Sequence, residues 1–69
     1  MEYFANPDGI TFKGVSNMNG SSIERARKEC KRLLKTIGRA IGDEFGGTET
    51  TVTFYIDLTD EEIEKLESL

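Results

Sequence analysis

A chain of 69 residues, 36% hydrophobic and 32% charged, with seven glycines and one proline, has the composition of a single small folded domain over 1–69. It contains no His and one Cys, which excludes His-based catalysis, Cys or His metal clusters and an internal disulfide framework. The formal net charge of −4 hides a basic middle and an acidic end.

Residues 2–5 and 10–16 are predicted strands, joined by Asn6-Pro7-Asp8-Gly9. Proline presets φ for a turn and Gly9 accepts positive φ, so the pair forms a hairpin. Ile10 and Phe12 alternate onto one face. Val15 follows Gly14 out of phase, which predicts a bulge there. Residues 17–20 are a loop.

A long helix follows, capped by Ser21 or Ser22; Glu24 stands at capping-box spacing from Ser21. Ile23, Ala26, Cys30, Leu33, Leu34, Ile37, Ala40, Ile41 and Phe45 recur mostly every three or four residues and form its apolar stripe. Gly46-Gly47 ends it, with fraying expected from Gly42, since internal Gly38 and Gly42 each cost about 1 kcal/mol relative to Ala. Gly38, Gly42 and Gly46 would share one helix face, a surface for close approach to the protein's own strands or to a second helix.

Thr50 to Leu58 alternates strictly, with Val52, Phe54, Ile56 and Leu58 on one side and Thr51, Thr53, Tyr55 and Asp57 on the other, the pattern of a half-buried strand. Thr59 and Glu62 then have capping-box spacing, and Asp60, Glu61 and Glu62 favour the positive end of a short final helix with Ile63 and Leu66 as its stripe.

The predicted fold is a small α+β domain of order β-β-α-β-α: a three-stranded, mostly antiparallel sheet, one long amphipathic helix on one face and a short acidic C-terminal helix. The most economical sheet places the first strand in the middle. Pairing of the last strand directly beside the second, parallel to it, is the alternative. The expected core is Phe4, Ile10, Phe12, Ile23, Ala26, Cys30, Leu33, Ile37, Ile41, Val52, Phe54, Ile56 and Leu58.

No motif for enzymatic chemistry is present, and no cofactor or metal is expected. Cys30 lies on the apolar stripe, as a buried structural thiol does. The carboxylates after Leu58 lack the alternate spacing of an EF-hand loop, and no glycine cluster matches a phosphate loop. No apolar run reaches ten residues, so neither a membrane span nor a signal-peptide core is expected, and the expected setting is cytoplasmic.

Charge layout carries the functional expectation. Residues 21–41 hold seven bases against Glu24 and Glu29, a sum of +5, and residues 42–69 hold nine acids against Lys65, a sum of −8. Asp57, Asp60, Glu61, Glu64 and Glu67 form a candidate protein-binding surface: Asp60, Glu64 and Glu67 share one helix side, with Glu61 beside them. The leading expectation is a non-enzymatic inhibitor or adaptor, of the small acidic kind phages encode against host proteins. It would engage a basic, nucleic-acid-binding protein by mimicking nucleic acid.

The alternative is a nucleic-acid-binding module that grips phosphates through Arg25, Lys28, Arg32, Lys35 and Arg39, helped by Tyr3 and Tyr55 stacking from the outer sheet face. The blander account of those bases is a solvated helix face laced by Glu24–Lys28 and Glu29–Arg32 pairs. A third expectation is a small oligomerisation domain. Homodimer formation fits a domain this small without disulfide or metal.

Overall fold

The computed structural model describes residues 2–15, 20–41, 45–47 and 50–69. Four strands, β1 (Glu2–Asn6), β2 (Gly9–Lys13), β3 (Phe45–Gly47) and β4 (Thr51–Tyr55), and two helices, α1 (Gly20–Ile37) and α2 (Asp60–Glu67), follow in the order β1-β2-α1-β3-β4-α2. The α+β class is as expected, but the sheet has four strands rather than three, in the order β1-β2-β4-β3, with every neighbour antiparallel.

The hairpin forms where the turn chemistry places it, with Asn6 paired to Gly9 across Pro7-Asp8. The Asn6 side-chain oxygen accepts from the Asp8 N–H at 3.1 Å, a local bond that Asn makes readily in turns. Gly9 has φ +142°, and a Cβ there would lie 1.9 Å from the Phe54 carbonyl oxygen, so only glycine lets β4 approach. At the other end of β2 the N–H groups of Gly14 and Val15 both donate to the Thr50 carbonyl, at 2.7 and 3.2 Å. This two-against-one arrangement is the expected bulge, and it turns Val15 into the core.

The strand order corrects the expectation that β1 is central. A helix crossover returns the chain for a strand parallel to the one before it. That strand is β3, at residues expected to end the helix, and β4 then comes back antiparallel between β2 and β3. β1, which carries Glu2 and Asn6, is left at the edge beside water. The extended chain after β4 keeps the alternation: Ile56 N–H donates to Asp8 O at 3.0 Å and Leu58 N–H to Pro7 O at 3.3 Å.

α1 ends at Ile37 because Gly38 adopts φ +77°. Gly38 N–H donates to Lys35 O at 3.2 Å and Arg39 N–H to Leu34 O at 3.1 Å, the paired bonds of a Schellman stop. Gly38 is therefore the terminator rather than an internal cost, and the expected common helix face of Gly38, Gly42 and Gly46 does not form: Gly46 is in β3 and Gly42 lies outside the described residues. Ser21 and Ser22 lie inside the first turn of α1, not at its cap. Of the expected loop at 17–20, residues 17–19 lie outside the described residues and Gly20 opens α1.

Both helices pack on one sheet face, α1 over β4 and α2 beside α1 over β1. Between the layers Ile10, Phe12, Val15, Ala26, Cys30, Leu33, Leu34, Val52, Phe54, Leu58 and Leu66 are buried, with Tyr3, Ala5, Ile37, Ile41, Ile56 and Ile63 packed around them. Phe12 meets Phe54 edge-on, with ring centroids 5.9 Å apart, a favoured aromatic geometry. Phe4, expected in the core, is instead 51% exposed on the outer face, while Tyr3 turns inward against Phe12 and donates its hydroxyl to the Leu66 carbonyl of α2 at 3.1 Å. Among the described residues no helix is long and apolar enough to cross a membrane.

Candidate protein-binding surface on the helix layer

α2 begins as its sequence directs. Thr59 Oγ1 accepts from Glu62 N–H at 3.2 Å, and a Glu62 carboxylate oxygen accepts from Thr59 N–H at 2.9 Å, closing the capping box. Arg39 adds a tertiary tie. Its Nη1 donates to the same Glu62 oxygen at 2.8 Å and to the Asp57 carbonyl, so one guanidinium joins the segment after α1 to the start of α2. The Thr59 N–H first, and the Arg39 charge after it, hold the Glu62 carboxyl below its ordinary range.

Leu66 is fully buried, Ile63 and Glu62 partly so, and this sets which side of α2 faces out. At 3.6 residues per turn, Glu67, Asp60, Glu64 and Glu61 span about 120° of arc opposite that buried stripe, with Glu64 near the middle. All four are exposed, as is Asp57 just before the cap. The five acidic residues expected as a surface are thus all displayed to solvent, and those of the helix share its outer side. Among the described residues none of the five takes part in an ion pair.

The basic candidates divide. Arg25, Lys28, Arg32 and Lys35 are exposed along the outer side of α1. Lys31 is exposed too, about 40° further round the helix than Lys35. Arg39 does not belong to this ridge: the Gly38 stop takes it off the helix and the tie to α2 occupies it. Arg32 is also engaged, donating through Nε and Nη2 to one Glu29 oxygen, the former at 3.1 Å. Of the two intrahelical pairs anticipated, this is the one the structure forms, and it lowers the Glu29 carboxyl while raising the Arg32 guanidinium. A shallow hollow of about 530 Å³ beside this ridge is lined by Tyr3, Arg25, Lys28, Glu29 and Arg32.

The outer sheet face does not offer Tyr3. Its exposed aromatics are Phe4 and Tyr55, and Thr11 and Thr53 between them share a hydroxyl hydrogen bond of 3.1 Å. Phe4 stands opposite Thr11 and Tyr55 opposite Gly9, so the two rings are separated by a strand and offset along it.

Cys30 is fully buried, and burial pushes its thiol up to about 12, keeping it protonated and unreactive at neutral pH. Among the described residues no three His, Cys, Asp or Glu side chains are placed to hold a metal ion. The helix layer carries two neighbouring ridges of opposite charge, the acids of α2 and the bases of α1.

The capping box and the acidic spacing were visible in sequence because both are local. The role of Arg39 was not, since its partners lie 18 and 23 residues away.

No protein-family model, curated protein or solved structure matches the chain.

Proposed function

We propose that the protein is a non-enzymatic binding domain, an inhibitor or adaptor, that engages a basic surface of another protein through Asp57, Asp60, Glu61, Glu64 and Glu67. The observation that carries the reading is the outward arc of carboxylates on α2, which make no ion pair among the described residues and are fixed at their base by the Thr59–Glu62 box and by Arg39. A preorganised row of negative charge suits a protein that ordinarily binds nucleic acid, because it competes for the same cations as a phosphate backbone. The basic ridge supports the rival reading less well. It has lost Arg39, has Arg32 engaged with Glu29, and lies beside an acidic helix that repels phosphates.

The test is capture from lysate with and without nuclease, then binding kinetics with the purified captured protein. Glu61→Lys, Glu64→Lys and Glu67→Lys together should slow association severalfold with little change in melting temperature, and added salt should weaken binding. Reversal of Arg25, Lys28 and Arg32 should matter less. A DNA or RNA mobility shift at physiological salt that this second variant abolishes would overturn the reading in favour of nucleic-acid binding.

A further inference from the structure

The two edges of the sheet are protected unequally. β3 is three residues long and two of them are glycine, a short edge that offers little to pair with. β1 is five residues long with unbroken register, and it contains no Lys, Arg or Pro and no bulge, the devices that usually guard an edge.

Backbone polarity shows what this edge presents. Gly14 N–H donates to Thr50 O and Ile56 N–H to Asp8 O, so even-numbered residues of β2 and β4 turn their backbone groups toward each other. Odd-numbered Gly9, Thr11 and Lys13 then turn toward Asn6, Phe4 and Glu2 of β1. The N–H and C=O groups of Tyr3 and Ala5 are left pointing off the sheet.

We infer that a second copy of this chain pairs antiparallel along β1, about a two-fold axis at Phe4. Tyr3 exchanges both backbone hydrogen bonds with Ala5 of the second copy, and Ala5 with its Tyr3. This register engages all four outward groups of each strand and overlaps β1 over its full length; a shift of two residues either way loses overlap. It makes Phe4 and Phe4 of the second copy a non-hydrogen-bonded pair, the kind in which side chains come closest, and so covers the ring that is half exposed in a single chain.

Charge is complementary across the same axis. The hollow at Tyr3 is lined by Arg25, Lys28 and the Arg32–Glu29 pair, a net positive set, and the hollow of about 310 Å³ along Tyr3, Phe4 and Ala5 is lined by Glu67. Setting Tyr3 opposite Ala5 of the second copy brings the bases of each chain toward the other chain's Glu67. Along β1 itself Glu2 faces Asn6, so like charges do not meet. An isologous contact of this kind closes on itself and leaves the short β3 edges outermost. The contact shares only Glu67 with the acidic surface and leaves Asp57, Asp60, Glu61 and Glu64 free, and the β1 variants below touch none of those carboxylates.

Sedimentation equilibrium of the full chain at high micromolar concentration should show a dimer. Ala5→Pro removes an outward N–H without touching the β1–β2 ladder, and Phe4→Lys sets like charges across the axis; both should sediment as monomers that still melt cooperatively. Tyr55→Lys, on the same outer face but on β4, should remain dimeric. In the unaltered chain, amide exchange at Tyr3 and Ala5 should slow as protein concentration rises, while Phe4 and Thr11 amides do not respond beyond global stability. That measurement stands even if a variant fails to fold. A monomeric wild type, a dimer that survives both β1 variants, or Tyr3 and Ala5 amides indifferent to concentration would each overturn the inference.

Discussion

Phe54 and Tyr55 are chain neighbours on β4, yet the first is 1% exposed and the second 53%. Tyr3 and Phe4 on β1 show the same contrast in reverse order, with the tyrosine turned in and the phenylalanine out. The inner face gathers Tyr3, Ala5, Ile10, Phe12, Val52 and Phe54 beneath two helices, and the outer face carries Phe4, Thr11, Thr53 and Tyr55 toward solvent. Side-chain type alone does not decide between the faces. Pleat and register do, and a shift of one residue exchanges them.

The sharpest break of this comparison pairs Phe54→Ala with Phe4→Ala. The first removes an aromatic packed against Phe12 and should cost about 3–5 kcal/mol, enough to unfold a domain of this size at ambient temperature. The second should cost below about 1 kcal/mol within one chain, as an exposed cross-strand partner. Circular dichroism at low protein concentration should show Phe54→Ala unfolded before urea is added and Phe4→Ala with a near-parental urea midpoint; similar losses would mean that the faces are not distinct.

Next in size is Gly9→Ala. The added Cβ collides with the Phe54 carbonyl at a positive φ, so about 1–3 kcal/mol or more should be lost, with β2 and β4 forced apart. Gly14→Ala, at φ +85° but with nothing within 4 Å of the new Cβ, should cost less. Thermal melts of the pair separate collision from backbone preference alone.

Two smaller changes probe what holds α2 on the inner face. Thr59→Ala removes the cap and should cost about 1 kcal/mol. Tyr3→Phe deletes the hydroxyl that reaches Leu66 O and should cost about 0.5–1.5 kcal/mol. In both, exchange of α2 amides should rise before that of β4 amides.

The smallest effect is in acid. Because the folded state lowers the Glu62 pKa, its contribution is fully present above the unfolded carboxylate range and is lost as pH falls through the lower folded value. Glu62→Gln should therefore flatten part of the acid limb of a stability-against-pH curve. An unchanged limb would show that Arg39 and the cap do not depend on that charge.

Local chemistry determined much of this protein from sequence alone. Asn6-Pro7-Asp8-Gly9 specifies its hairpin, alternation over 51–58 names the faces of β4 and its extension, and Thr59 with Glu62 starts α2, because each depends on residues a few positions apart. The acidic arc of α2 was legible for the same reason, as helical spacing converts position directly into direction.

Tertiary pairing decided the rest. Phe45-Gly46-Gly47 has the local marks of a helix end and becomes a strand only because β4 offers it a partner; that extra strand reverses β4 and places β2, not β1, at the centre. Tyr3 is turned inward by its register with Phe12 and by the Leu66 carbonyl above it, 63 residues away in the chain. Arg39 leaves the basic ridge once Gly38 stops α1 and Glu62 comes within reach. For Tyr3 and Arg39 the decisive partner is distant in sequence, and for β3 it is a nearby strand whose own place beside β2 is set by distant pairing, so the energy that selects each conformation exists only after the chain has folded.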